Sequence, residues 1–220
     1  MTIPFDETQT RRLPVYLLLD CSGSMQGTKI VQVNNGVQLL YQELMADPRS
    51  ANTVHISIIP FAATAYQMQL VPIAQFTPPQ LTVGGGTSLG AALGLLNQSL
   101  DADLKPNVMG QKGDYKPLVF LLTDGQPTDA WQGEAQKLNA RATNRAQNIV
   151  ALAIGHDADE KVLKQITPYV LRMDAVTPEA LRGFFQWMSA SIKTASQAAQ
   201  QGGGDGVQMP PMPNGITFDL

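Results

Sequence analysis

The chain has 220 residues, is 44% hydrophobic, and sets 15 Lys and Arg against 18 Asp and Glu for a formal net charge of −3. That length suits one α/β domain with a full core, while the lack of a basic cluster excludes the phosphate-tracking footprint of a nucleic-acid binder. The single cysteine, Cys21, rules out an internal disulfide or a multi-thiolate zinc site. No apolar run approaches the ~20 residues of a membrane helix, and residues 1–12 hold no apolar signal core, so a cytoplasmic protein without membrane contact is expected.

Residues 1–13 form an extension ahead of the first element. The run Val15-Tyr-Leu-Leu-Leu-Asp20 is apolar without alternation, the pattern of a central parallel strand covered on both faces, and it ends on an acid. Asp20-Cys-Ser22-Gly-Ser24 then places hydroxyls at alternate positions of a tight turn. Gly27 and Thr28 introduce a helix whose stripe is Ile30, Val33, Val37, Leu40, Tyr41 and Leu44, ended by Asp47-Pro48. Residues 53–58 alternate, as do Tyr66, Met68 and Leu70 ahead of Pro72, and the short connection between them predicts an antiparallel hairpin at one sheet edge.

A linker at 76–79 leads to Gly84-Gly-Gly86-Thr87-Ser88, and Leu89, Leu93, Leu96 and Leu100 mark the helix that follows. Residues 101–116 are polar with Pro and Gly, an exposed loop. Leu118–Thr123 repeats the design of apolar strand, terminal acid (Asp124) and glycine turn; Trp131, Ala135, Leu138 and Ala142 then recur at helical spacing, with Trp131 in the core. Residues 148–155 form another buried strand, Asp159 caps a short helix, and 169–171 form a short strand. Thr177-Pro178 opens the final helix, with Leu181, Phe184, Phe185, Met188 and Ile192 on its buried side.

This alternation predicts an α/β domain over 14–201: a doubly wound, mostly parallel six-stranded sheet with one antiparallel edge strand and helices on both faces. Residues 202–220 form a Gly/Pro-rich tail outside the core, flexible at 202–206 and removable at little cost. The alternation Ile216-Thr-Phe218-Asp-Leu220 is the feature that would let the tail add a strand to an exposed edge.

In such sheets ligands collect at the carboxyl ends of strands, near the point where strand order reverses. Asp20, Asp124 and the loop of Thr87 should meet there. Carboxylates among hydroxyls offer hard oxygen ligands suited to Mg²⁺ or Mn²⁺, and two acids facing one crevice repel unless a cation lies between them. The plain alternative is that one acid caps a helix and the other closes a turn. Gly84-Gly-Gly86 lacks phosphate-loop spacing, so its glycines are read as freedom to bring Thr87 to the site. Cys21 is read as a packed neighbour of that loop, His55 as structural and His156 as a solvated loop residue.

In identity, order and strand-end context, Asp20, Ser22, Ser24, Thr87 and Asp124 resemble the metal-ion-dependent adhesion site of von Willebrand factor type A domains, a resemblance covering about residues 14–200. The wording Asp20-Cys-Ser-Gly-Ser-Met and Thr123-Asp-Gly-Gln-Pro-Thr-Asp129 is similar to the bacterial tellurium-resistance TerY group. The resemblance implies that those five residues hold Mg²⁺, with Mn²⁺ as a substitute. It also implies that an acidic side chain of a protein partner completes the metal shell, in a non-enzymatic interaction module. For the TerY group it implies a bacterial stress-response setting, with a PP2C-type phosphatase and a protein kinase as partners. Met25, Gln26, Ser88, Gln126 and Pro127 lie in the metal-bearing loops and are the expected rim contacts.

The competing class is a Mg²⁺-dependent phosphotransfer enzyme or phosphoreceiver on a similar sheet. Ser22 stands where an aspartyl-phosphate hydrolase would place a second acid, and Gly155-His156 where a receiver would place a lysine. No Lys or Arg accompanies the five ligands to stabilise a transferring phosphoryl group.

Overall fold

Leu13–Asp20 is buried at every position, and a strand covered on both faces must lie inside a sheet. In the computed structural model, which describes residues 11–109, 112–141, 148–200 and 210–218, this strand (β1) pairs in parallel with β2 (Val54–Phe61) on one side and β4 (Leu118–Thr123) on the other. Beyond β2 lies β3 (Val71–Pro72), antiparallel; beyond β4 come β5 (Ile149–Ile154) and β6 (Tyr169–Met173), parallel, then β7 (Thr217–Phe218), antiparallel. The order β3-β2-β1-β4-β5-β6-β7 reverses direction between β1 and β4. Asp20 closes one of those two strands and Asp124 follows the other, so the switch point lies between the two acids.

Alternation along β1 sorts the core into two layers. Val15, Leu17 and Leu19 face the layer of α1 (Thr28–Ala46) and α6 (Pro178–Gln200). Tyr16 and Leu18 face α3 (Leu89–Ala102), α4 (Gln132–Ala140) and α5 (Glu160–Ile166). The expected stripe of α6, Leu181, Phe184, Phe185, Met188 and Ile192, is fully buried, and Trp131 is core. Asp159 caps α5 by accepting from the Lys161 and Val162 amides. Ala142 lies outside the described residues.

Four local expectations are refined or changed. Asp47 does end α1, but its carboxylate accepts from the Ser50 amide and starts a further helix, α2 (Pro48–Thr53). The edge strand is Val71–Pro72, while 66–70 follows β2 only through spaced bonds such as Met68 N–H to the Ile58 carbonyl. The loop after α3 is exposed at 105–109 and 112, as expected, but its far end is anchored by Arg12, whose guanidinium donates to both carboxylate oxygens of Asp114.

The fourth concerns the tail, which was expected outside the core. Ile216 is buried, Met212 packs on the same layer, and the Trp187 indole donates to the Pro210 carbonyl at 3.0 Å. β7 then pairs with β6, giving seven strands with antiparallel partners at both edges. The physical reason is β6: left as an edge it would expose a row of unpaired amides and carbonyls.

Truncation ahead of Pro210 is therefore expected to lower the melting temperature by several degrees. Ile216→Ala alone should cost about 2–4 kcal/mol in denaturant unfolding, the usual range for emptying a buried isoleucine site.

Candidate metal centre

β1 delivers Asp20 into the sheet's carboxyl end with no exposed surface. The chain then turns sharply, and the Ser22 amide folds back to donate to Asp20 Oδ1 at 2.8 Å. Thr123, the last residue of β4, donates its hydroxyl to Asp20 Oδ2 at 2.5 Å. Both oxygens of Asp20 are thus engaged. Burial raises its pKa above the ordinary aspartate range; the bonds from Ser22 and Thr123 oppose that rise, and Asp124 adds to it as a like charge.

Asp124, equally buried, accepts from Ser24 Oγ at 2.6 Å on Oδ1 and from Lys29 Nζ at 2.6 Å on Oδ2. The Ser22 and Ser24 hydroxyls lie 2.9 Å apart. The two acids are therefore joined through the Ser22 amide on Asp20 and the Ser22 and Ser24 hydroxyls leading to Asp124.

Thr87 arrives from a third loop. Gly86 has φ +63, a left-handed conformation that favours glycine and turns the chain toward the site. A two-way clamp then fixes Thr87: its amide donates to Thr128 Oγ1 at 2.9 Å, and the Thr128 amide donates to the Thr87 carbonyl at 2.9 Å. Asp129 holds the helix behind it, accepting from the Gly90 and Ala91 amides at 2.9 Å each. This is a cap supplied from another loop, with an anion at the positive helix end. A β-carbon at Gly90 would collide with the Ala130 carbonyl, so helix and loop meet there at backbone distance. A β-carbon built at Gly125 would lie 3.6 Å from Thr87 Oγ1 and 3.7 Å from Ser24 Oγ, which locates those hydroxyls around one point beside Asp124.

All five expected ligands are thus brought together, and the donor set fits a hard divalent cation: two buried carboxylates, three hydroxyls, and oxygen throughout. No group of three or more His, Cys, Asp or Glu suited to a metal occurs among the described residues, so a bound ion would depend on the hydroxyls. Ser24, Thr87, Asp124, Gly125 and Gln126 are among the residues lining an open crevice of about 700 Å³. The loop after β5 and the start of α5 add His156, Asp157, Asp159, Glu160 and Lys161 to the lining, and β6 adds Arg172, a mixed set of charges.

The rim expectations divide. Gln26 and Gln126 are exposed and Pro127 is half-buried. Met25 is a correction: it is 0% exposed because its short 3₁₀ turn (Gly23–Met25) points the side chain into the α1 layer. Ser88 is another, 8% exposed with its hydroxyl donating to the Ala63 carbonyl at 2.8 Å. Cys21 is a packed neighbour, as expected; burial pushes its thiol up to about 12.

Lys29 overturns the expectation that no cation accompanies the five ligands. Thr123, Thr128 and Asp129 are further site residues without an assigned role in the sequence reading. For Thr128 and Asp129 the usable signal was a hydroxyl and an acid in tandem after Gly125-Gln-Pro, within reach of a helix start that has no side-chain cap of its own.

A doubly wound α/β domain with a hydroxyl-and-carboxylate site at its switch point is the class that fold and site define. Residues 15–177 match the model of the von Willebrand factor type A domain, and the chain belongs to that family of protein-interaction and adhesion modules.

Similar solved structures include a von Willebrand factor type A protein from Catenulispora acidiphila (18% identity, TM-score 0.62, 84% of this chain and 43% of that one). Another is the pilus adhesin SpaC from Lactobacillus rhamnosus GG (17%, TM-score 0.63, 84% and 30%). A third is proximal thread matrix protein 1 from the mussel byssus with a zinc-occupied adhesion-site motif (19%, TM-score 0.56, 83% and 48%). The chain spans less than half the length of each of these three. No match was found among curated proteins.

Asp129→Ala should destabilise the domain by about 1 kcal/mol, the usual worth of a helix cap. Hydrogen exchange is expected to rise at the Gly90 and Ala91 amides while those of β1 stay protected.

Proposed function

We propose that this domain is a non-enzymatic binding module that holds Mg²⁺ through Asp20, Ser22, Ser24, Thr87 and Asp124 and uses the site to capture an acidic side chain of a protein partner. The observation that carries this reading is the meeting of three loops at the switch point, where two buried acids are linked through Ser22 and Ser24 and Asp124 opens onto a crevice. A bound ion would supply a concentrated positive charge with affinity for carboxylate oxygen. Ser22, Ser24 and Thr87 are neutral, so they hold an ion without cancelling its charge. Gln26, Gln126 and Pro127, in the loops that carry the ligands, would contact the partner's backbone and help exclude water.

Asp20 also argues for binding over phosphotransfer. Both of its oxygens accept hydrogen bonds and none of its surface is exposed, which is the opposite of a carboxylate presented to a phosphoryl donor. The solved relative with a zinc-occupied motif supports a divalent ion in this kind of site, and the pilus adhesin supports an adhesive use of the fold. The likeness of the two metal-loop segments to the TerY group supports a bacterial tellurium-resistance or stress-response role, with a PP2C-type phosphatase and a protein kinase as candidate partners.

Calorimetric titration with Mg²⁺ and Mn²⁺ is expected to show one site in the wild-type protein and none in Asp124→Ala, with circular dichroism unchanged because the acid stands beyond the end of β4. A partner captured in Mg²⁺ and identified by mass should be released by EDTA and not retained by Thr87→Ala. Retention under both conditions would overturn the metal-dependent mode.

A further inference from the structure

Lys29 is the charged residue at the site that the proposed function does not use. It lies in the first turn of α1, where the positive end of the helix disfavours a cation and no acidic residue supplies local compensation. Its ammonium instead reaches Asp124 Oδ2 at 2.6 Å, pairing a side chain 27% exposed with one that is 0% exposed. Asp124 gives its other oxygen to Ser24. The carboxylate therefore faces the hydroxyl turn with one oxygen and Lys29 with the other.

We infer that Lys29 is a tethered competitor for the metal: its ammonium and a divalent cation draw on the same carboxylate, so binding of the ion and release of Lys29 are coupled. The inference rests on the reading of these residues as a metal centre. A buried carboxylate that loses its compensating partner is costly, and Lys29 gives Asp124 a counter-charge from within the chain. Two cations at one carboxylate repel, and the repulsion is strong where water is scarce. Lys29 is the partner able to leave, since it is partly exposed and its four-carbon stem can carry the ammonium into solvent. Asp124 sits at the end of a fully buried strand and stays. Lys29 thereby sets the affinity of the site and keeps the acid pair compensated when divalent ions are scarce.

The alternative is that Lys29 aligns Asp124 for the ion and remains bound beside it. The two predict opposite signs. Manganese titrations of wild type, Lys29→Met, Lys29→Gln and Lys29→Arg are expected to show about tenfold tighter binding in the two neutral variants and near wild-type affinity in Lys29→Arg. In parallel, acetylation of Lys29 by acetic anhydride, followed by peptide mass, should accelerate several-fold in wild type at saturating Mn²⁺.

Unchanged or weaker binding in the neutral variants, with wild type binding normally, overturns the competitor role and leaves the metal reading intact. Unchanged Lys29 acetylation with Mn²⁺ bound also overturns it, and that measurement decides alone if the neutral variants do not fold. Manganese binding by the neutral variants but not by wild type would be the strongest support. If neither wild type nor the neutral variants bind Mn²⁺, the metal reading fails and this inference falls with it.

Discussion

Two carboxylates at the ends of neighbouring parallel strands, both almost wholly out of water, constrain everything around them. Removing an ionised carboxylate from water carries an effective penalty of several kcal/mol even after relaxation, and a like charge beside it adds to that. The sheet holds them there. Five apolar side chains of β1 are fully buried, at about 2 kcal/mol each, so the strand cannot slip to relieve its terminal acid without losing more than it gains. The acids are instead compensated in place, by the Ser22 amide, the Thr123 and Ser24 hydroxyls and the Lys29 ammonium.

That compensation needs chain segments from both sides of the switch point, and the loops are arranged to supply them. The turn after β1 is short, so its hydroxyls return to the acids. The loop after β4 does more than carry Asp124: through Thr128 it grips Thr87, and through Asp129 it caps α3. One loop therefore fixes an acid, a hydroxyl and a helix relative to one another. A displacement of Asp124 by a bound ligand would be felt at the start of α3 through these bonds, without any long-range relay.

The strands β1, β4 and β5 and the helices α1, α3 and α6 were legible because burial leaves a periodic trace in sequence, continuous for covered strands and three-to-four for helices. The five proposed ligands were legible because they sit where those traces stop. What sequence concealed has no period. The pairing of Lys29 with Asp124 spans 95 positions and the clamp from Thr87 to Thr128 spans 41, so neither leaves a local pattern. Met25 and Gln26 are adjacent, yet one is core and the other exposed, because a single 3₁₀ turn decides which points inward. The tail misled for a related reason: glycine and proline suggest looseness, but Ile216 found the α6 layer and β7 found the open edge of β6.

The balance of charge at the site explains why hydroxyls stand where further acids would bind a metal more tightly. With three or four carboxylates, a divalent ion would be over-neutralised and would repel an incoming anion. Here two carboxylates face one ammonium before any ion enters, and the remaining donors are neutral. If Lys29 leaves as an ion binds, the carboxylates are balanced by that ion and the ammonium moves into solvent, which its partly exposed side chain already reaches. On the proposed reading, metal binding thus changes the field seen by an acidic partner twice, once at the ion and once through the released lysine. A site built from more acids would hold its metal harder and attract its partner less.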